Sequence, residues 1–103
     1  MSYVVMFFAG AFLCNSIPHL ASGLRDEPFS TPFARPRGVG LSSPFVNFLW
    51  GSFNVVVGII LVSGRPVVAV LDPHFIALIA GVLAIGTYLS LHFGKVRRQK
   101  DLN

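Results

Sequence analysis

The sequence predicts an all-α integral membrane protein with three transmembrane helices. Hydrophobic residues make up 53% of the 103 positions, and the mean hydropathy is +0.71. Charged residues account for 12%, whereas about a quarter of a soluble domain is charged. Three stretches lack Asp, Glu, Lys and Arg, and each is long enough for the ~20 residues that a membrane-spanning helix needs. We therefore treat residues 1–103 as a single transmembrane unit with lipid as its solvent.

The first helix is predicted over residues 3–24. Its first half, YVVMFFAGAFLC, is apolar, and its second half, NSIPHLASGL, mixes polar and apolar residues. Both halves must belong to the helix because a shorter segment would not cross the hydrocarbon core. Pro18 offers no N–H to the carbonyl group four residues earlier and its ring crowds that turn, so we expect a kink there.

The first loop, residues 25–43, is predicted to be an ordered cap rather than a flexible tether. Pro28, Pro32 and Pro36 exclude a regular helix, and the glycines of this loop permit tight turns. Phe29 and Phe33 are too apolar for a linker surrounded by water. We expect these rings in the headgroup region or against the helix ends.

The second and third helices begin with the same signal. Ser43-Pro44 and Asp72-Pro73 each place an N-cap residue before a proline at the first helical position. From these starts, the apolar residues predict spans over 44–63 and 73–94.

The segments that follow these two spans are short. An apolar connector at residues 67–71 is expected to lie at the membrane interface. Gly94 is a natural C-cap for the third helix. Residues 95–103 then form a basic tail.

The basic residues predict the orientation of the chain in the membrane. With three spans, the first loop and the tail share one side, and the N-terminus and the connector share the other. Seven of the eight Lys and Arg residues fall on the first side, and only Arg65 falls on the second. This bias predicts a cytoplasmic loop and C-terminus and an outside N-terminus. The seven residues, which we also expect to contact anionic lipid headgroups, are Arg25, Arg35, Arg37, Lys95, Arg97, Arg98 and Lys100.

A cluster of polar side chains is predicted inside the membrane, where the first helix meets the second. Asn15 and His19 are four residues apart and share one face of the first helix. Polar and small residues recur along the second helix with spacings of four, three and four. Both faces begin near the loop and lie at similar depths, so we expect them to meet. The candidate cluster consists of Asn15, His19, Asn47, Trp50 and Asn54.

Two interpretations of this cluster stay open. In the first, it holds the helices together, since each hydrogen bond across a membrane seam contributes about 0.6 kcal/mol. In the second, it binds a proton, an ion or a small ligand, because ionisable groups inside a membrane are functional candidates. His19 is the clear ionisable group, since the acidic residues fall in loops or the tail. We favour the first interpretation.

Two further histidines, His74 and His92, lie at the two ends of the third helix, where we expect their rings to reach headgroup water. His19 and His92 fall on the same side of the membrane, so joint ligation of a haem or a metal is an alternative. Two histidines without supporting carboxylates or cysteines are weak evidence for such a site. We therefore predict no metal and no cofactor, and contact with haem, pigment or quinone only through a partner.

Small residues are predicted to mediate close helix packing. The third helix carries Ala77-x3-Gly81 and Ala80-x3-Ala84, and Tyr88 continues that face. This pattern favours contact within the chain or with a partner. Together with the stripe on the second helix, the predicted packing residues are Gly51, Gly58, Ala77, Ala80, Gly81 and Ala84.

Other classes of function have little support. The basic residues lie beside apolar segments and no RNA-binding aromatic motif is present, which argues against nucleic-acid binding. Cys14, the single cysteine, lies in an apolar run where a thiol behaves as a small hydrophobe. The sequence contains no acid–base pair, nucleophile triad or metal-ligand set, so we predict no catalytic residues and no enzymatic activity.

The pattern N-x2-P-H, followed by T-P-F-A-x-P-x-G-x-G-x-S-S-P-x2-N-x2-W-G-x2-N-x3-G, resembles a group of small hypothetical bacterial membrane proteins. The resemblance implies a bacterial membrane protein and brings no activity and no catalytic residues with it. The matching positions cover less than half of the chain and are Asn15, Pro18, His19, Thr31, Pro32, Phe33, Ala34, Pro36, Gly38, Gly40, Ser42, Ser43, Pro44, Asn47, Trp50, Gly51, Asn54 and Gly58.

The leading functional hypothesis is a non-catalytic accessory subunit of a larger bacterial inner-membrane complex, of respiratory or photosynthetic type. Such a subunit contributes helix packing and lipid contact, and its partners are membrane lipids, other membrane subunits or copies of itself. The alternative is a small self-associating transporter or channel, with His19, Asn15 and Asn54 lining the path.

Overall fold

The computed structural model describes residues 2–63 and 72–102, which form three α-helices and the loop between the first two. Helix α1 is Ser2–Leu24, α2 is Pro44–Val62 and α3 is Pro73–Leu102. Each helix is long and apolar enough to cross a membrane, which confirms the predicted all-α fold with three spans. The connector at residues 67–71 and Arg65 lie outside the described residues.

Helix α1 lies between the other two helices. It packs against both α2 and α3, whereas α2 and α3 do not pack against each other over the described ranges. Close approach to α3 depends on glycine: a Cβ atom added at Gly10 would overlap the backbone carbonyl of Leu78, and one added at Gly81 would overlap that of Phe7. Pro18 lies inside α1, and a kink at this position stays a prediction.

The end of α1 is set by a residue in the left-handed conformation. Asp26 has a φ of 58°, and the N–H of Glu27 donates to the carbonyl oxygen of Ser22 over 2.9 Å. This is the Schellman arrangement, which returns N–H groups to carbonyls of the last helical turn. It redirects the chain from α1 into the loop.

The predicted N-caps of α2 and α3 are both present. The hydroxyl oxygen of Ser43 accepts from the N–H of Val46 at 3.2 Å. The carboxylate of Asp72 accepts from the N–H of His74 at 2.8 Å. A proline follows each cap at the first helical position, where its missing N–H costs no hydrogen bond.

Helix α3 does not end at Gly94, the predicted C-cap, but continues to Leu102. Gly94 stays in the helical conformation rather than the left-handed one that ends a helix. A glycine inside a helix costs about 1 kcal/mol relative to alanine, and the Lys, Arg and Gln residues that follow are good helix formers. The basic tail at residues 95–102 is therefore a helical extension of α3.

The loop between α1 and α2 folds into a defined cap. Phe29 and Ser42 form an antiparallel bridge, with N···O distances of 3.2 and 2.8 Å. Gly38 has a φ of 67°, a conformation that glycine adopts without steric cost. The ring of Phe29 packs against Phe93 of α3, with 4.6 Å between centroids, whereas Phe33 is 64% exposed. The loop thus connects to α3 as well as to α2.

Candidate functional site

Asn47 is the centre of the polar cluster. Its side chain is completely buried. The amide nitrogen Nδ2 lies 3.0, 3.2 and 3.1 Å from the carbonyl oxygens of Phe29, Ser42 and Ser43. Because a carbonyl oxygen only accepts, these contacts fix which end of the amide is the nitrogen. The amide oxygen Oδ1 then faces α1, where it lies 2.8 Å from Nδ1 of His19.

The contact with Asn47 fixes the tautomer of His19. The Oδ1 atom of Asn47 only accepts a hydrogen bond, so Nδ1 of the imidazole carries the proton and donates it. In the neutral ring the other nitrogen, Nε2, has a free lone pair. Among the described residues Nε2 has no hydrogen-bond partner, although only 2% of the surface of His19 is exposed. His19 is therefore a buried residue with one ring acceptor that no described residue uses.

A second side-chain bond joins α1 to α2 deeper in the membrane segment. Nδ2 of Asn15 donates to Oδ1 of Asn54 over 3.0 Å. Nδ2 of Asn54 in turn donates to the carbonyl oxygen of Trp50 at 2.7 Å. The structure thus brings the five residues of the candidate cluster together at the seam between α1 and α2.

A cavity of about 360 Å³ lies beside this cluster, between α1, α2, α3 and the loop. Its walls are mainly aromatic and aliphatic, and its few polar groups come from the cluster, from the loop and from α3. Such a combination, at a volume of at least ~300 Å³, is typical of small-molecule sites. The residues that line it include Phe8, Phe12, Asn15, His19, Thr31, Trp50, Asn54, Ile85, Tyr88, Leu89, His92 and Phe93.

Helix α3 contributes a second imidazole to this cavity. Nε2 of His92 lies 2.8 Å from the carbonyl oxygen of Gly38, which accepts, so Nε2 carries the proton and Nδ1 has the free lone pair in the neutral ring. The ring stacks on Tyr88, with centroids 5.7 Å apart. The position of His92 in the sequence predicted only a helix end near headgroup water. It gave no signal for the loop contact, which depends on how the loop folds back.

Trp50 lines the same cavity and contacts the ring of His19, with 6.3 Å between centroids. Its Nε1 atom is buried and has no hydrogen-bond partner among the described residues. Buried polar atoms are nearly always hydrogen-bonded in native structures. The indole N–H of Trp50 is therefore a donor in the cluster that has no acceptor among the described residues.

His74 lies away from the cavity, at the opposite end of α3. Its Nδ1 atom is 3.2 Å from the carboxylate of Asp72, and its ring packs against Tyr3, with 4.7 Å between centroids. The hydrogen bond from the backbone N–H of His74 lowers the pKa of Asp72 below its usual range. This pair belongs to the N-terminal cap of α3.

The seven basic residues predicted to contact headgroups are all exposed. Three lie in the loop and four lie on the C-terminal extension of α3. Arg25 also pairs with Glu27, with 3.3 Å between nitrogen and oxygen. Contact with lipid stays a prediction for the seven, which are Arg25, Arg35, Arg37, Lys95, Arg97, Arg98 and Lys100.

The predicted packing residues divide into two groups. Ala80 and Ala84 are exposed and do not pack inside the chain, contrary to one of the two contacts expected for them. The reason is rotational: Gly81 faces α1, and its neighbour Ala80 is turned by about 100° around the helix axis. Gly51, Gly58 and Gly81 do lie in the helix contacts, and Ala77 is half-buried.

The chemistry offered by the site is hydrogen bonding in apolar surroundings, with the indole N–H of Trp50 as a donor and ring nitrogens of two histidines as acceptors. His19 and His92 each present a lone pair, and both line the cavity. No group of three or more His, Cys, Asp or Glu side chains placed to hold a metal ion occurs within residues 2–63 and 72–102.

Comparisons with protein-family models, with curated proteins and with solved structures give no match to this chain. The resemblance to small bacterial membrane proteins stays a prediction. The functional proposals below depend on the geometry and on the sequence.

Proposed function

We propose that this chain is a non-catalytic accessory subunit of a larger membrane complex. The observation that supports this proposal most is the exposure of α3. Within the chain, 6% of its most apolar window is buried, compared with 28% for α1. Among the helices, α3 packs against α1 alone, and the loop contacts it at His92 and Phe93. The rest of its described surface is free to contact lipid or other membrane proteins.

The exposed side of α3 carries small and aliphatic residues, which are typical of contacts between membrane helices. Ala80 and Ala84 lie one turn apart on it, and the exposed side chains of Ile76 and Leu83 lie beside them. Small residues allow two helix backbones to approach closely, and aliphatic side chains supply van der Waals contact around them. A helix from another subunit fits this side of α3.

The proposal includes a location and a class of complex. We place the chain in a bacterial plasma membrane with its loop and C-terminus in the cytoplasm, which is supported by the seven-to-one distribution of Lys and Arg. Respiratory or photosynthetic complexes are the class of partner. In this role the cluster around Asn47 holds α1 and α2 together, and membrane lipids contact the remaining apolar surface.

The test is purification of the tagged chain from its native membrane in a mild detergent, followed by native mass spectrometry. We expect one heteromeric mass with a fixed stoichiometry. A photo-crosslinking residue placed at Ala84 is expected to label the partner subunit. The same residue at Ile60, on the exposed side of α2, is the matched control. A complex that contains only copies of this chain, with self-adducts at Ala84, would contradict the proposal.

A second candidate function is a small self-associating transporter or channel. The observation that favours it is that His19, Asn15 and Asn54 line one cavity inside the membrane segment. Its test is proton or ion flux into liposomes that contain the purified chain, with and without His19→Asn. This candidate requires the substitution to change the flux and its pH profile, so unchanged flux rules it out.

A further inference from the structure

We propose that the cavity beside the polar cluster binds a lipid-soluble phenol, whose hydroxyl group donates a hydrogen bond to Nε2 of His19. This site is separate from the proposed role as an accessory subunit and does not depend on it. It is inferred from the tautomers of two histidines, from the walls of the cavity and from the gap between α2 and α3.

The tautomers select a ligand that donates hydrogen bonds. Asn47 accepts the proton of His19 Nδ1, and the Gly38 carbonyl accepts that of His92 Nε2. In the neutral form each ring then has one unprotonated nitrogen, Nε2 of His19 and Nδ1 of His92, which can only accept a hydrogen bond. A hydroxyl group can donate to Nε2 of His19 and can also accept from the indole N–H of Trp50, whereas an ether or a ketone can only accept.

The walls favour a flat ring of modest size. Phe12, Trp50, Tyr88 and Phe93 line the cavity, and aromatic faces of this kind pack well against another ring. The volume of about 360 Å³ lies near the low end of the ~300–1,000 Å³ found for ligand sites. A molecule with one ring and a short alkyl chain suits this volume better than a macrocycle.

Lateral access explains why the ligand should be lipid-soluble. Trp50 on α2 and Ile85 on α3 both line the cavity, yet these two helices do not pack against each other in the described ranges. The gap between them faces the surroundings of the helices, which in a membrane are acyl chains. A ligand dissolved in the bilayer can therefore enter between α2 and α3 without crossing the loop.

The experiment uses the full chain in lipid nanodiscs with ¹⁵N-labelled histidine. The probe is 4-hexylphenol, and 4-hexylanisole, which has nearly the same shape but no hydroxyl hydrogen, is the matched control ligand. Affinities come from the fluorescence of Trp50, the only tryptophan. We expect the phenol to bind about fivefold more tightly than the anisole and to shift the resonance of the unprotonated His19 nitrogen. Equal affinities, or an unshifted resonance at saturation, overturn the proposal.

The matched variant is His19→Asn. The asparagine nitrogen can take the position of Nδ1 and keep the bond to Asn47, while Nε2 is removed. We expect the preference for the phenol to fall below about twofold, with anisole affinity nearly unchanged. His74→Asn, at the far end of α3, should keep the full preference. If the His19→Asn chain is folded by circular dichroism and still prefers the phenol, the proposal is overturned. If that variant does not fold, the comparison of the phenol with the anisole and the shift of the His19 resonance, both measured on the unsubstituted chain, test the proposal.

Discussion

The two contacts that α1 makes with its neighbours depend on different interactions. Towards α2, buried amides and an imidazole bind each other through side-chain hydrogen bonds of 2.8 and 3.0 Å. Towards α3, the helices meet through their backbones, because Gly10 and Gly81 each leave room for a carbonyl group of the opposite helix. The contact between α1 and α2 depends on paired hydrogen-bond donors and acceptors, and the contact between α1 and α3 depends on glycines that have no side chain.

This difference teaches how each contact responds to change. A contact between backbones tolerates no added volume, since neither backbone can rotate away from a new Cβ atom. A hydrogen-bonded contact tolerates modest changes of shape but not the loss of a partner, because the remaining group stays buried and unsatisfied. Adding a methyl group to the contact between α1 and α3, or removing a hydrogen-bonding group from the contact between α1 and α2, should separate the two mechanisms.

The largest effect is expected for Gly81→Ala. The new Cβ atom would overlap the backbone carbonyl of Phe7, so α1 and α3 must move apart. We expect the free energy of unfolding to fall by about 3 kcal/mol, measured by detergent-induced unfolding followed by circular dichroism. Gly86→Ala is the control, since its Cβ would lie at an ordinary 3.6 Å from the sulfur of Cys14. Equal losses for both variants would refute the steric explanation.

A smaller loss is expected for Asn47→Ala. The substitution leaves the proton of His19 Nδ1 without its acceptor and removes one of the donors to three loop carbonyls, which keep their backbone N–H partners, at a cost of about 2 kcal/mol. Since two of those carbonyls belong to the bridge between Phe29 and Ser42, amide exchange in the loop should also accelerate. Phe45→Ala, at an exposed position of α2, should change stability by less than about 0.5 kcal/mol. Unchanged exchange at the N–H of Ser42 would contradict this account of the loop.

A double-mutant cycle should resolve the pair formed by Asn15 and Asn54. We expect a coupling energy of about 0.6 kcal/mol, the average for hydrogen bonds between membrane helices. The unbonded pair Asn15 and Asn47 serves as the reference cycle and should give a coupling close to zero. The same unfolding assay is used throughout, and similar coupling in the two cycles would show that the Asn15–Asn54 bond contributes nothing specific.

The smallest effect is expected outside the membrane segments, at the start of α3. The N–H of His74 lowers the pKa of Asp72 from its ordinary value of 3.8. Stabilisation by this carboxylate is therefore complete above pH 3.8 and is lost as the pH falls through the lower folded-state pKa. We expect amide exchange in the first turn of α3 to accelerate below that pH. Asp72→Asn keeps an acceptor oxygen and should show no such pH dependence.

Local rules were sufficient for much of this molecule. The lengths of the uncharged stretches predicted three spans, Ser43 and Asp72 predicted the starts of α2 and α3, and helical periodicity predicted that Asn15 and His19 would face α2. These features depend on neighbouring residues or on one pair of helices. They follow from the chemistry of short segments.

The features that local rules missed depend on residues that are distant in the sequence or on the context of a whole helix. Gly38 reaches His92, which is 54 residues away, because a left-handed glycine and a two-residue bridge fold the loop back, and no spacing encodes that path. Gly94 gave a local stop signal that the helix formers after it overrode. The rotation of α3 could not be predicted either, since small residues occur on the side of Gly81 and on the side of Ala84.

Helix α1 reaches the membrane before its partners have been synthesised. His19 and Asn15 obtain their hydrogen bonds from residues 28 and 39 positions later in the chain. If α1 entered the hydrocarbon before α2, these polar groups would lie there without a protein partner, which is costly. We therefore expect α1 and α2 to insert together as a hairpin, with the delay between them set by the length of the loop.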